Sequence, residues 1–307
     1  MDMEYKSHAK INLTLEILSK RRDGYHEIRT VFQELELHDT ISFEVISGGG
    51  LELTCSDSSL PGGEENLAYR AALLLKSLYA PDKGVRMHLT KRIPIAAGLG
   101  GGSSNAAAVL KALNTLWKLS LNDTILLELG ARLGSDVPFF LYGGTALAEG
   151  RGEILKPLPD FPQTGVLLTS PKGLKLSAAE VYGSLRLDRI GERKLDATGK
   201  FVQLLNENRG LGNDLFDDFL KLLCNDLEFP VFDLQDDVFL LKKKLLQNGI
   251  TALVSGSGPT IFALSRDEEL LQEMGKRLIE NDCRVINTKT TCKEKDIIKE
   301  YTKGGDH

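Results

Sequence analysis

Residues 94–105 read Pro94-Ile95-Ala96-Ala97-Gly98-Leu99-Gly100-Gly101-Gly102-Ser103-Ser104-Asn105, and an alanine-rich run follows. Glycines at 98, 100, 101 and 102 carry no Cβ, so another group can approach the backbone closely and positive φ is cheap. Consecutive N–H groups in such a loop form a nest for an anion. The loop leads into a helix, whose free N–H groups and positive dipole end would face whatever lies there. Ser103 and Ser104 add two hydroxyls. A polyphosphate is the natural guest. The pattern is neither of two familiar phosphate loops. No lysine follows the glycines as G-x-x-x-x-G-K-[ST] demands, and a G-x-G-x-x-G begun at Gly98 would need glycine where Ser103 stands.

Two further charged residues stand in short local motifs. Lys10 lies in Ala9-Lys10-Ile11-Asn12-Leu13, and Asp136 in Gly134-Ser135-Asp136-Val137-Pro138-Phe139-Phe140. Taken alone, the lysine reads as a solvated charge near a strand start and the aspartate as a turn or cap residue. Phosphoryl transfer needs a hydroxyl held in line, an acceptor for its proton and a cation beside the developing charge. In an extended segment Asn12 shares the facing of Lys10 and should reach the same region.

Taken together, Ala9–Leu13, the glycine loop and Val254-Ser255-Gly256-Ser257-Gly258-Pro259-Thr260 resemble the three ordered motifs of the GHMP kinases, small-molecule kinases whose members include homoserine and mevalonate kinases. The resemblance covers essentially the whole chain. It implies ATP wrapped by residues 94–104, with Asp136 as catalytic acceptor and Lys10 as catalytic cation. Magnesium is expected as the ATP counter-ion, and no protein ligand for it can be named. Ser7–Leu13 with Arg21-Arg22-Asp23-Gly24-Tyr25-His26-Glu27, and Leu133–Phe140, are similar to the members that phosphorylate the 2-hydroxyl of 4-diphosphocytidyl-2-C-methyl-D-erythritol in the non-mevalonate isoprenoid pathway. That likeness implies a cytidine pocket with Tyr25 on one ring face, Tyr182 on the other and His26 at the base edge. Asn12 would join them, and Gly256, Ser257 and Gly258 would shape the diphosphate end. Asn66 could border the adenine, although helix capping suits it better. The rivals are another GHMP kinase, of homoserine or mevalonate type, and a non-catalytic GHMP-like ligand sensor.

These residues need elements to position them. Alternating patterns predict strands at 11–17, 28–37, 40–46, 51–54 and 85–90. Helical spacing predicts helices over 66–79, from Ser103 or Ser104 to about Trp117, and from Asn122 or Asp123 to about Leu133. Lys156-Pro157-Leu158-Pro159-Asp160-Phe161-Pro162 suggests a boundary between domains at 1–160 and 161–307. Beyond it come a strand at 165–169 and a helix opened by the Ser177-Ala178-Ala179-Glu180 capping box. Then follow a helix at 235–247, strands at 252–254 and 260–264, a helix at 267–281 and a strand at 285–288. A strand-rich first third favours an α+β fold. The resemblance implies an N-terminal domain like the second domain of ribosomal protein S5 and a C-terminal ferredoxin-like domain.

Composition narrows the field. The chain has 307 residues, a net charge of −5 and 42% hydrophobic residues, values of an ordinary globular protein. The charge offers no basic face for nucleic acid. Lys242-Lys243-Lys244 reads as a solvated helix face. The four cysteines form no C-x-x-C pair, and no apolar stretch suits a membrane span or a signal peptide. The expected setting is the cytoplasm, with a small-molecule substrate and with no nucleic-acid or membrane partner. The tail at 302–307 reads as frayed, and the sequence leaves the role of the polar segment 185–208 open.

Overall fold

The computed structural model describes residues 2–192, 196–207 and 215–292, so the tail at 302–307 lies outside the described residues, as do 193–195 and 208 of the polar segment. Two long strands, β1 (Asp2–Lys20) and β2 (His26–Ile46), form an antiparallel hairpin that organises the first sheet. The strands expected at 28–37 and 40–46 are one strand. Asp39, which fell between the two expected strands, is fully buried and accepts hydrogen bonds from the Arg92 and Ile93 N–H groups at 2.7 and 2.8 Å. The two halves of β2 serve different neighbours. Its later half pairs with β4 (Gly84–Thr90), which pairs in turn with β3 (Leu51–Cys55). Its earlier half pairs with β5 (Thr145–Gly150), which turns into β6 (Ile154–Pro157).

Three helices pack on this sheet around one apolar core: α1 (Leu67–Tyr79), α2 (Gly101–Leu116) and α3 (Asp123–Leu133). Asn66 caps α1, its Oδ1 accepting from the Ala68 N–H at 3.0 Å. A short α4 (Val137–Tyr142) follows, with Pro138 in its first turn, where a missing N–H costs nothing. Neither α4 nor the β5–β6 hairpin was visible as a pattern.

The chain crosses through the proline-rich segment into the second sheet, β11-β7-β10-β9. Its strands are β7 (Gly165–Pro171), β9 (Ala252–Val254), β10 (Ile261–Ser265) and β11 (Cys283–Lys289). In chain order this is a 4-1-3-2 arrangement, that of a ferredoxin-like β-α-β-β-α-β unit. The expected capping box opens α5 (Ala178–Gly183), both of its bonds being formed. A 3₁₀ turn (Leu187–Glu192), α6 (Ala197–Glu207) and α7 (Phe216–Leu222) follow. Next, β8 (Cys224–Asn225) returns to the first sheet beside β1. The remaining helices are α8 (Glu228–Leu234), α9 (Asp236–Gln247) and α10 (Glu268–Ile279). Lys242 does not sit on a solvated face. It pairs at 2.6 Å with the buried Glu228, whose carboxylate also accepts from the Val254 N–H at 3.0 Å.

The apolar alternation of β1 places its chemistry. Ala9, Ile11 and Leu13 point into a core shared with Phe262 and Leu264 of the second sheet. Lys10 and Asn12 therefore face the other way.

Candidate active site

A cavity of 890 Å³ opens on that other face. Its wall includes Lys10, Asn12, Tyr25, His26, Asp136, Tyr182, Gly256 and Ser257, together with Gly98 and Gly100 of the glycine loop. The residues expected to act on the acceptor thus line one space, apart from Gly258, which is not part of the wall. Leu185, Leu187 and Asp188, from the segment of open role, also line it.

The lysine and aspartate meet. Lys10 Nζ lies 3.6 Å from Asp136 Oδ2 and donates to Asn12 Oδ1 at 2.7 Å. Asp136 occupies the N-cap position of α4, yet its carboxylate caps no N–H there and is one third exposed. Its oxygens remain available to the cavity. Lys10 is almost fully buried, and its ammonium also lies 4.8 Å from the centre of the Phe32 ring. Burial pulls the Lys10 pKa below its ordinary value, while the Asp136 carboxylate opposes that shift.

The glycine loop is held from two directions. The Lys10 N–H donates to the Leu99 carbonyl at 3.0 Å, and Ser255 Oγ donates to the Gly98 carbonyl at 3.0 Å. Gly98 has φ of +73°, and a Cβ there would lie 2.1 Å from the Ser255 carbonyl oxygen. Ala96, Gly98 and Gly100 all have positive φ, the local geometry of an anion nest. Helix α2 begins at Gly101, two residues earlier than the serines suggested, with Gly100 as its N-cap. Gly101 and Gly102 are therefore its first turn, and their N–H groups are the free ones. Ser103 follows in the same turn, while Ser104 is buried beside a small cavity of 90 Å³. Ala97 and Leu99 turn their side chains into the core. Pro94 and Ile95 border a different cavity, of 480 Å³, together with Asp57, Lys91 and Arg92. The loop thus borders the 890 Å³ cavity through Gly98 and Gly100 and the 480 Å³ cavity through Pro94 and Ile95.

The aromatic residues divide in two. The Tyr182 and His26 rings stack, with centroids 5.4 Å apart and planes at 26°. Burial and the Asp136 charge hold the Tyr182 hydroxyl protonated, and burial with the Lys20 charge lowers the His26 pKa. Tyr25 is 55% exposed at the rim, with the Arg151 guanidinium 4.9 Å from its ring centre.

Sequence reasoning missed several residues that hold the site. Asp39 ties the strand before the glycine loop to Asn105 of α2, which donates to it at 2.9 Å, and it also pairs with Lys91. Phe32 and Thr30 lie beneath Lys10 and Asn12, and Arg151 backs Tyr25. A charged residue between two apolar runs was the available signal for Asp39.

Comparisons with known proteins show the family of the chain. The family models for the GHMP kinases N terminal domain and the GHMP kinases C terminal match residues 66–144 and 204–282. The chain is 42% identical over 285 residues to 4-diphosphocytidyl-2-C-methyl-D-erythritol kinase of Pelotomaculum thermopropionicum, covering 92% of this chain and 96% of that protein. A crystal structure of 4-(cytidine 5'-diphospho)-2C-methyl-D-erythritol kinase superposes with a TM-score of 0.77 at 35% identity, covering 94% of this chain and 99% of that one. Homoserine kinase from Cytophaga hutchinsonii superposes at 0.66 with 21% identity over 95% of each chain, a likeness of fold alone.

Proposed function

This chain belongs to the GHMP kinase family, and within it to the 4-diphosphocytidyl-2-C-methyl-D-erythritol kinases; from that premise we propose that the 890 Å³ cavity is its acceptor site. The chain is an ATP-dependent small-molecule kinase that phosphorylates the 2-hydroxyl of 4-diphosphocytidyl-2-C-methyl-D-erythritol in isoprenoid precursor synthesis. The observation that carries the site assignment is a single one. The Lys10–Asp136 pair and the stacked His26–Tyr182 rings share one cavity with Gly98 and Gly100.

On this reading the cytosine ring lies among Tyr25, Tyr182 and His26, and the methylerythritol end reaches Asn12, Lys10 and Asp136. Gly256 and Ser257 line the diphosphate between them. ATP comes from the opposite side, past Pro94 and Ile95, with its phosphates over the nest and the first turn of α2. Asp136 accepts the proton of the 2-hydroxyl as that oxygen bonds to the γ-phosphorus. The bond from that phosphorus to the β-phosphate oxygen breaks, and ADP leaves. Lys10 keeps Asp136 oriented and offsets charge on the transferring oxygens.

Among the described residues no group of three or more His, Cys, Asp or Glu is arranged to hold a metal ion. Magnesium is expected as the counter-ion of the triphosphate. The Ser103 hydroxyl, in the first turn of α2, would be available to such an ion. Bound magnesium supplies charge neutralisation on the phosphate oxygens. Among the described residues no helix is long and apolar enough to cross a membrane. We assign the enzyme to the cytoplasm, acting on a small molecule without nucleic-acid or membrane partners.

A substrate panel tests the proposal. ATP consumption should follow addition of the cytidine compound and should be absent with homoserine or mevalonate. The reverse pattern would move the chain to another branch of the family, and no turnover with any acceptor would favour a ligand sensor.

A further inference from the structure

We propose that Thr30 is a positioning residue for phosphoryl transfer, its hydroxyl fixing which end of the Asn12 amide meets Lys10. The proposal rests on Lys10 and Asp136 being the transfer machinery. Thr30 is fully buried in β2 and lies behind the cavity wall. Its Oγ1 donates to the Thr14 carbonyl. A carbonyl oxygen only accepts, so the single hydroxyl proton of Thr30 is committed there. The Thr30 oxygen can then only accept from Asn12, 2.8 Å away, and the group facing it must be the NH₂. The amide carbonyl is thereby turned to Lys10, whose ammonium is a pure donor, at 2.7 Å. The chemistry of the chain of bonds settles the orientation, although the two ends of an amide are alike in shape.

The strands make this possible. A register shift between Asn12 and Thr14 leaves Leu13 without a partner on β2, and the Thr30 hydroxyl reaches the main chain at this bulge. Phe32 and Thr30, two apart on β2, sit beneath Lys10 and Asn12, two apart on β1. The third motif closes over the pair. A Cβ at Gly256 would lie 3.2 Å from Asn12 Oδ1 and 3.4 Å from Lys10 Nζ. With the acceptor at Thr30 removed, the Asn12 NH₂ is left without its partner and only the Lys10 ammonium still orients the amide. A turned amide sets two donors against each other and drives the ammonium off its line to Asp136.

The test is a double-mutant cycle read by steady-state kinetics with the cytidine substrate. Thr30→Val keeps the shape and removes the hydroxyl. It should lower kcat about tenfold or more while the KM for ATP stays within about twofold. Thr30→Ser should restore kcat to within about threefold of the parent. In an Asn12→Ala background, Thr30→Val should change kcat by less than about twofold, because its target is gone. An equal cost in both backgrounds would mean a structural role and overturn the proposal, as would an unchanged kcat in Thr30→Val. Should the valine protein not fold, Thr30→Ser and Thr30→Ala differ only by the hydroxyl, and equal kcat values for them would overturn it too. Lys10→Ala separates the two readings. A fully active Lys10→Ala protein refutes the site assignment itself, whereas an inactive one beside an unaffected Thr30→Val refutes only the role of Thr30.

Discussion

Lys10 Nζ stands 3.6 Å from Asp136 Oδ2, and neither group is taken up by the ordinary role its position suggests. The lysine is buried rather than solvated, and the aspartate sits at a helix N-cap without capping it. A carboxylate so placed is free to accept a proton. Asp136→Asn should still bind the cytidine substrate, since the aromatic wall is untouched. Its turnover should fall by at least about a hundredfold, the lower end of what general-base help supplies. Calorimetric titration and a coupled ADP assay on the same protein separate the two effects, and undiminished turnover would remove Asp136 from the mechanism.

The pH response follows from the burial of Lys10. Burial is the larger influence and lowers its pKa from 10.5, while Asp136 pushes the other way. In the proposed role the cation is the working form, so kcat should fall on the alkaline side with an apparent pKa below 10.5. In Asp136→Asn the opposing charge is gone, and the alkaline limb of the residual rate should move to lower pH. The stability sign is also set. The unfolded chain keeps the Lys10 proton to higher pH than the folded one, so stability should rise with pH between the folded value and 10.5. Lys10→Met should accordingly melt no lower than the parent at neutral pH, even though it is inactive. A marked fall in Tm would mean that the ammonium stabilises the fold.

Much of the site could be read from residue types, because a phosphate loop requires glycines, serines and a helix start in one local stretch. The strands at 51–55 and 252–254 and the Ser177 capping box were legible for the same reason, since their determinants are neighbours in sequence. What escaped depends on distant partners. Asp39 looked like a strand break, but it sits inside a strand because Arg92, Ile93 and Asn105 supply its hydrogen bonds from more than fifty residues away. Lys242 looked solvated until Glu228 was found beneath it. The glycines were visible as a cluster, yet which of them is indispensable depends on Ser255, far along the chain.

That last point separates two substitutions of the same kind. Gly98→Ala meets the Ser255 carbonyl at 2.1 Å and forces an alanine to φ of +73°. It should cost at least about 2 kcal/mol of stability from backbone strain and overpacking together. It should also weaken ATP binding, because the loop must shift. Gly102→Ala lies in the first turn of α2, where the added methyl meets only Leu67 Cδ1 at 3.7 Å. Alanine is the better helix former, so this protein should keep or gain up to about 1 kcal/mol. Urea unfolding of the pair checks the contrast. Equal destabilisation of both would mean that the Gly98–Ser255 contact is not what demands glycine.

The aromatic wall offers the sharpest test of the acceptor, because its two tyrosines are built into the protein so differently. Tyr25 is 55% exposed, with the Arg151 guanidinium 4.9 Å from its ring centre, so little folding energy depends on its ring. Tyr182 is partly buried and stacked on His26, so its ring serves the fold as well as the cavity. A base stacked on an aromatic ring gains about 1–3 kcal/mol, which converts to about 5–150-fold in affinity. Tyr25→Ala should therefore raise the KM for the cytidine substrate by about tenfold while Tm stays within about 2 °C of the parent. Tyr182→Ala should raise the same KM and also lower Tm, because it leaves a cavity beside His26. Tyr182→Phe keeps the ring and should preserve both. The KM for ATP should be unmoved in all three, since the proposed nucleotide site lies at Pro94 and Ile95, away from these rings. If Tyr25→Ala changed the KM for ATP and left that for the cytidine compound alone, the two sides of the loop would have to be exchanged.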